Sequence, residues 1–260
     1  MGRLHLFEFN DQEWLPDAWR RYITQYLQFM LEHGPFDALP GLLSRLANRD
    51  DARVLALCSG SGGPWPAYLE DPHEELGGVE VLLTDIRPDR AAQHRAEERT
   101  EGRAVGYDQS VDATDVPEEL DGPRTIVNAL HQFPPDTARA ILADAVEKRV
   151  PIGVFEIMDR RPSTVFSTVL VPLFVLLLTP FVRPLRLGRF FWTYLIPLMP
   201  LLIFWDGLVS ALRTYTPDEL REMVSDFDEY EWEIDAVEAG DGPGPAKITY
   251  LIGRPSTATD

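Results

Sequence analysis

The spacing of hydrophobic positions changes repeatedly along this chain, and each change predicts a different kind of element. Trp19, Tyr22, Ile23, Tyr26, Leu27, Met30 and Leu31 recur at helical intervals and make one broad apolar face. Leu15-Pro16-Asp17 opens that helix and His33-Gly34-Pro35 stops it; residues 39–46 predict a second, shorter one. From residue 54 the pattern shortens to apolar runs. Residues 54–57, 79–85, 124–129 and 151–157 read as buried strands, with a weaker one at 103–107. Helical patterns separate them. One at 91–100 is polar, with His94 facing solvent; another at 135–149 carries Ala138, Ile141, Leu142, Ala145 and Val146 on one side. Strands alternating with helices predict an α/β fold around a mostly parallel sheet.

The later part of the chain breaks this alternation. Residues 165–182 run for 18 positions without a charge, and 190–205 form a second charge-free run. Arg183, Arg186 and Arg189 lie between them, and Pro172, Pro180, Pro197 and Pro200 interrupt them. The pattern predicts an apolar helical hairpin inserted over 164–206. Each arm is marginal in length for a span, and a full crossing would carry three arginines through the bilayer. A shallow dip into one leaflet fits better, with the arginines at headgroups and Trp192, Tyr194 and Trp205 near the interface. A lid or a dimer interface in a soluble protein is the alternative. Thr216 then caps a helix with Pro217 at its first position and Asp218 and Glu219 in its first turn. Residues 231–237 and 247–254, separated by a turn-rich 239–245, predict a closing antiparallel pair, and 255–260 a frayed end.

The chemistry gathers where the strands end. Residues 54–57 run into Cys58, Ser59, Gly60, Ser61, Gly62 and Gly63. Consecutive small residues let the backbone turn tightly and let a ligand lie against bare N–H groups. In an open α/β sheet, the crevice beyond the carboxyl ends of the strands is where a nucleotide-like cofactor binds. Asp85 ends the second strand, where a carboxylate can accept both hydroxyls of a ribose; a turn or helix-cap role is the alternative. Asp112-Ala113-Thr114-Asp115 follows the third strand, Asn128 to Phe133 the fourth, and Glu156 ends the fifth.

In this order the pieces resemble the class I S-adenosylmethionine-dependent methyltransferases over residues 52–157. The family's first motif, hhDhGxGxG, is matched by Val54-Leu55-Ala56-Leu57-Cys58-Ser59-Gly60-Ser61-Gly62, with Ala56 in place of the usual acid and Cys58 in place of the first glycine. The resemblance implies a doubly wound, seven-stranded, mostly parallel sheet with strand 7 antiparallel. It implies an N-terminal helical cap over 1–50, for which ordinary packing helices against the sheet edge are the alternative, and an α/β domain over 51–260 that holds the insertion. S-adenosylmethionine would be held by Cys58, Ser59, Gly60, Ser61 and Gly62. Asp85 would take the ribose and Asp112 the adenine amino group, with Ile86 and Ala113 beside them and Asn128 near the methyl group. His131, in the segment facing the methyl group, is the preferred base, since its ordinary pKa suits proton removal. A structural role is the alternative for His131; Asn128 could orient a substrate oxygen or cap the loop, and Glu156 is a second carboxylate near the cleft. Tyr215 and Asp206 are weaker candidates.

Two rival classes stay open. A dinucleotide-dependent reductase predicts G-x-G-x-x-G, but Trp65 stands at the third glycine. A non-catalytic protein of the same fold is compatible with the substitutions at Ala56 and Cys58. Composition narrows the partners. At 260 residues with a formal charge of −18, the chain suits one elaborated α/β domain and lacks the basic face that nucleic acid requires. Its single cysteine, Cys58, excludes an internal disulfide, and the scattered histidines show no metal-ligand spacing, so no metal is expected. Residues 4–9 are too short and too interrupted, by His5 and Glu8, for a secretory signal. The expectation is a cytoplasmic protein at the inner face of the cell membrane, with a hydrophobic or lipid-like substrate and a possible homo-oligomer.

Overall fold

A computed structural model describes residues 2–34, 36–46, 53–70, 74–240 and 246–256. Its strands are β1 (Arg53–Ala56), β2 (Glu80–Leu83), β3 (Ala104–Gly106), β4 (Arg124–Val127), β5 (Ile152–Glu156), β6 (Tyr230–Glu238) and β7 (Lys247–Pro255). Its helices are α1 (Asp17–His33), α2 (Ala38–Leu46), α3 (Trp65–Glu70), α4 (Arg90–Arg99), α5 (Pro135–Glu147), α6 (Pro162–Ser167), α7 (Val171–Leu178), α8 (Leu187–Phe190), α9 (Leu198–Arg213) and α10 (Pro217–Met223). The strands form one sheet in the order β3-β2-β1-β4-β5-β7-β6. β1 to β5 are parallel, while β7 runs antiparallel to both β5 and β6. The expected sheet, with its antiparallel seventh strand, is present.

Alternation along each strand explains why helices cover both faces. In β1, Val54 and Ala56 enter one apolar cluster with Leu39, Leu43, Trp65 and Leu69 of α2 and α3. Leu55, and Leu57 just past the strand, enter the other, with Ile141, Leu142 and Ala145 of α5 and Leu220 of α10. A strand buried on both faces reads as a continuous apolar run, which is how the parallel strands stood out in the sequence. α10 starts with a full capping box: Thr216 Oγ1 accepts the Glu219 N–H, and the Glu219 carboxylate accepts the Thr216 N–H at 2.9 Å. The order of strands reverses between β1 and β4, so the crevice at the carboxyl ends of those two strands is the topological switch point.

Two compact units divide the chain, Pro35–Ile157 with Tyr215–Asp260, and Met1–Gly34 with Met158–Thr214. The sheet belongs to the first. α1 and the apolar insertion, read from the sequence as separate elaborations, fall together in the second, while α2 falls with the sheet. In the second unit Tyr22, Ile23 and Tyr26 of α1 pack with Val175, Val182, Met199, Leu202 and Ile203. The amino-terminal segment lies along α9. Phe9 and Asn10 donate their N–H groups to Asp206 at 2.6 and 3.1 Å, and Arg213 pairs with Glu8 and Asp11 at 3.1 Å each.

The insertion departs from two simple arms. Residues 162–178 are helical throughout, with a tight 3-10 turn at Thr168–Leu170 just before Pro172. The second arm breaks at Ile196 and Pro197 into Leu187–Leu195 and Leu198–Arg213, bent by 83°; Pro197 removes a backbone donor there. No single helix among the described residues is long and apolar enough to cross a membrane. The expected turn at 239–245 has residues 241–245, and the expected frayed end residues 257–260, outside the described residues.

Candidate functional site

Every residue the sequence singled out for cofactor binding comes from the carboxyl edge of the sheet. Immediately after β1 the chain turns through Cys58 and Gly60, both with φ of 52°, then Gly62 at 111° and Gly63 at 56°. A left-handed residue carrying a Cβ is costly, so Cys58 shows why the family pattern prefers glycine there. Gly62 is required twice over. Its φ suits glycine alone, and a Cβ on it would stand 2.7 Å from Pro66 Cγ. Ser59 fastens the turn to β2: its N–H and hydroxyl both donate to the Thr84 carbonyl, at 3.0 and 3.1 Å.

Asp85 closes the same corner. Its Oδ2 accepts the Gly60 N–H at 2.8 Å and its Oδ1 accepts the Arg87 N–H at 2.9 Å. Each carboxylate oxygen has two lone pairs, so both keep capacity for hydroxyl donors. The chain after β3 runs alongside: Val111 N–H donates to the Asp85 carbonyl at 3.0 Å, and Ser110 Oγ to that of Ile86 at 2.7 Å. Asp112 Oδ1 accepts the N–H and hydroxyl of Thr114, at 2.9 and 2.7 Å, and Ala113 is buried. Burial, then the negative charges of Asp85 and Asp112, push the Cys58 thiol up to about 12. The three residues therefore share one corner, and the thiol stays neutral. Ile86 is 58% exposed, the one large apolar side chain so exposed among the described residues of the sheet unit.

Beyond β4, Asn128 takes a left-handed φ of 52° and donates its N–H to the Phe155 carbonyl at 2.7 Å. Asparagine tolerates that conformation better than most side chains. The turn brings His131 against Glu156. The Glu156 Oε1 accepts the His131 backbone N–H at 3.0 Å, and Oε2 lies 2.7 Å from His131 Nδ1. Both residues are 1% exposed. A carboxylate oxygen at that distance is placed to accept a proton carried on Nδ1. Sequence reasoning chose the two residues singly; the structure makes them a pair. Tyr215 holds the same loop, its hydroxyl donating to the Phe133 carbonyl at 2.7 Å.

Two further residues were missed as site candidates. A narrow recess under the glycine turn is lined by Ala56, Leu57, Ser59, Gly62, Gly63 and Pro64 and also by Trp65, Thr125 and Val127. Trp65 Nε1 and Thr125 Oγ1 are buried without a hydrogen-bond partner, as is Asn128 Oδ1 nearby in sequence, after the same strand as Thr125. Buried polar atoms are nearly always paired; of the eleven unpartnered side-chain atoms among the described residues, these three gather at the switch point. Neither residue carries a sequence motif; their polar atoms stand out only once the fold has buried them.

Other expectations fall elsewhere. Asp206 belongs to the second unit, 5% exposed, where burial pushes it up to about 6 against the lowering effect of its two backbone donors. Arg189, expected at a membrane surface with Arg183 and Arg186, is instead 3% exposed. Its guanidinium bonds Gln25 Oε1 at 2.8 Å, the Pro184 carbonyl at 2.9 Å and the Val182 carbonyl. A planar five-donor group can satisfy several carbonyls at once, which favours an inward role over solvent.

No protein-family model and no curated protein matches this sequence. Solved structures do match. The plantazolicin methyltransferase BpumL in complex with SAH superposes with a TM-score of 0.57 at 12% identity, covering 95% of this chain and 94% of that one. An O-methyltransferase family 2 protein from Planctomyces limnophilus, in complex with apigenin, gives 0.51 at 13% identity. Human N-acetylserotonin methyltransferase in complex with SAM gives 0.51 at 15% identity. The fold is that of the S-adenosylmethionine-dependent methyltransferases. This chain, covered to 92% and 94% in those last two matches, spans only 61% and 60% of the two proteins' lengths. The methyltransferase fold accounts for the β1/β4 crevice, and its seventh strand for the antiparallel edge.

Proposed function

We propose that this protein transfers a methyl group from S-adenosylmethionine to a hydrophobic acceptor at a membrane surface, on the cytoplasmic side. The observation that carries the reading is the convergence at the switch point: the glycine turn, Asp85 and the three orphaned polar atoms share the carboxyl edge of β1, β2 and β4. The glycine turn leaves space beside Gly60 and Gly63, where a Cβ would meet nothing within 4 Å. Asp85 offers two carboxylate oxygens to ribose hydroxyls, Ile86 an apolar surface to the adenine, and Asp112 an acceptor to its amino group. Asn128 Oδ1 accepts from an ammonium group. When bound, the cofactor supplies an electrophilic methyl group on a sulfonium centre.

His131 Nε2 takes the proton of the acceptor. Glu156 keeps Nδ1 protonated and stabilises the imidazolium that forms, through the 2.7 Å contact at Oε2. The hydrophobic character of that acceptor is supported by the second unit, which carries 19 of the 20 exposed large apolar side chains among the described residues. That unit begins at Met158, two residues after the end of β5.

Calorimetry with S-adenosylhomocysteine and with NADH tests the cofactor. The expected result is binding of the first alone, weakened by roughly 1.5–3 kcal/mol in Asp85→Ala through loss of charge-assisted hydrogen bonds. NADH binding, or unchanged S-adenosylhomocysteine affinity in a folded Asp85→Ala protein, would sink the assignment.

A further inference from the structure

The charge of this chain is unevenly divided. Residues 1–34 and 158–214 hold nine arginines against seven acids, a formal +2, so the remaining residues carry −20 of the net −18. The slightly positive unit is also the one with the exposed apolar side chains. Within it, the loop after α7 places Phe181, Arg183, Leu185, Arg186 and Leu187 at the surface, and Leu187 is 91% exposed. Arg189, one turn on, reaches back to the carbonyls of Val182 and Pro184 and so ties the loop from inside.

Arg183 and Arg186 have no hydrogen bond or ion pair from their side chains among the described residues. Other arginines of the unit are engaged, among them Arg20 with carbonyls, Arg161 with Asp159 and Arg213 with Glu8 and Asp11, while Arg21 on α1 is, like Arg183 and Arg186, exposed. Two exposed, unengaged arginines interleaved with exposed Phe and Leu have the composition of a membrane-binding edge. The apolar groups enter the acyl boundary while guanidinium groups take phosphates.

We infer that the 181–187 loop is a docking tip for an anionic lipid bilayer, with Phe181, Leu185 and Leu187 inserting and Arg183 and Arg186 binding lipid phosphates. The inference deepens the membrane-surface part of the function proposed above and rests on it. Charge complementarity selects the occupant. A second copy of the same loop would bring arginine against arginine, whereas an anionic leaflet attracts the tip. With −20 on the rest of the chain, long-range attraction to such a leaflet must come from this unit.

The test is flotation of the full-length protein with vesicles of phosphatidylcholine alone or in equal parts with phosphatidylglycerol, alongside S-adenosylhomocysteine calorimetry on each sample. Wild-type protein should float with the anionic vesicles and detach as salt rises. Arg183→Gln/Arg186→Gln should bind those vesicles about thirtyfold more weakly, the worth of two arginines near an anionic surface. Phe181→Ser/Leu187→Ser should lose binding to the anionic vesicles. Because these side chains are exposed, S-adenosylhomocysteine affinity should not change in either variant. The inference is overturned if wild-type protein stays off every vesicle, including as a stable dimer, or if it floats equally well with both loop variants. Loss of S-adenosylhomocysteine binding in the wild type would count against the proposed function instead.

Discussion

Replacing Glu156 by Gln isolates the role of the buried pair. In the native protein the carboxylate accepts two donors, the His131 backbone N–H at 3.0 Å and Nδ1–H at 2.7 Å. Glutamine keeps the shape but offers one oxygen and one NH2 group. If the oxygen stays on the backbone N–H, the NH2 group faces Nδ1, which must then give up its proton and accept. The opposite placement sets two donors against each other. The first is therefore forced, and the imidazole proton moves to Nε2. Each surviving bond falls from charge-assisted to neutral strength, a loss of about 1–1.5 kcal/mol per bond. Relief of the buried negative charge offsets part of that. The expected net destabilisation is about 1–3 kcal/mol by urea unfolding. Nitrogen-15 NMR of the histidine should show Nδ1–H in the wild type and Nε2–H in the variant. Turnover should fall by roughly 10²–10⁴ with cofactor affinity retained, since a base that already carries its proton cannot accept another. A folded variant with wild-type tautomer and stability would refute the reasoning.

Two other expectations follow from backbone and burial. Gly62→Ala forces a Cβ to within 2.7 Å of Pro66 Cγ at a φ of 111°; it should lower the unfolding free energy by about 1–3 kcal/mol and weaken S-adenosylhomocysteine binding, and an unchanged melting temperature would contradict it. Asp206, held up at about 6 by burial, binds its proton more tightly folded than unfolded. The stability it contributes is full below the ordinary carboxylate pKa and is lost as pH rises through about 6. Unfolding measured from pH 4 to 7 should show a decline on the order of 2–3 kcal/mol from this group, absent in Asp206→Asn; equal slopes in the two proteins would be the contrary result.

The sheet was legible because its strands are short and buried on both faces. β1, β2, β4 and β5 each read as apolar runs ending in a small or acidic residue, and the structure moves their ends by no more than a few positions. The partners of amphipathic helices were not legible. Periodicity showed that α1 has an apolar face; it carried no information that Val175 and Ile203 would cover it. Nor did it reveal Phe9 and Asn10 bonding Asp206 almost two hundred residues away. Leu27, counted into the α1 face by spacing, is exposed because the covering helices meet the Tyr22–Tyr26 side. Likewise the bend at Pro197 followed from proline chemistry, but its angle depends on packing.

The site divides along the same line. Gly60, Gly62 and Asp85 were readable because local chemistry alone requires them: a left-handed turn, and an acid at the end of a strand. Trp65 and Thr125 were not, since their polar atoms become orphans only after the fold has buried them. Charge shows the difference most clearly. A net −18 argues against nucleic acid for the chain as a whole, but an average cannot describe a surface. Once the fold sorts the residues, Arg183 and Arg186 stand exposed in a unit of formal +2, and the exclusion has to be argued again from neighbours. A nucleic-acid face needs several cations along a backbone with a positive field around them. Here two arginines alternate with Phe181, Leu185 and Leu187, and the third, Arg189, is turned inward. Apolar groups of that size at a tip gain nothing against a hydrated phosphate backbone and gain about 25 cal/mol per Å² where they leave water for hydrocarbon. The pattern around the charges, rather than their number, is the ground on which a lipid surface is proposed.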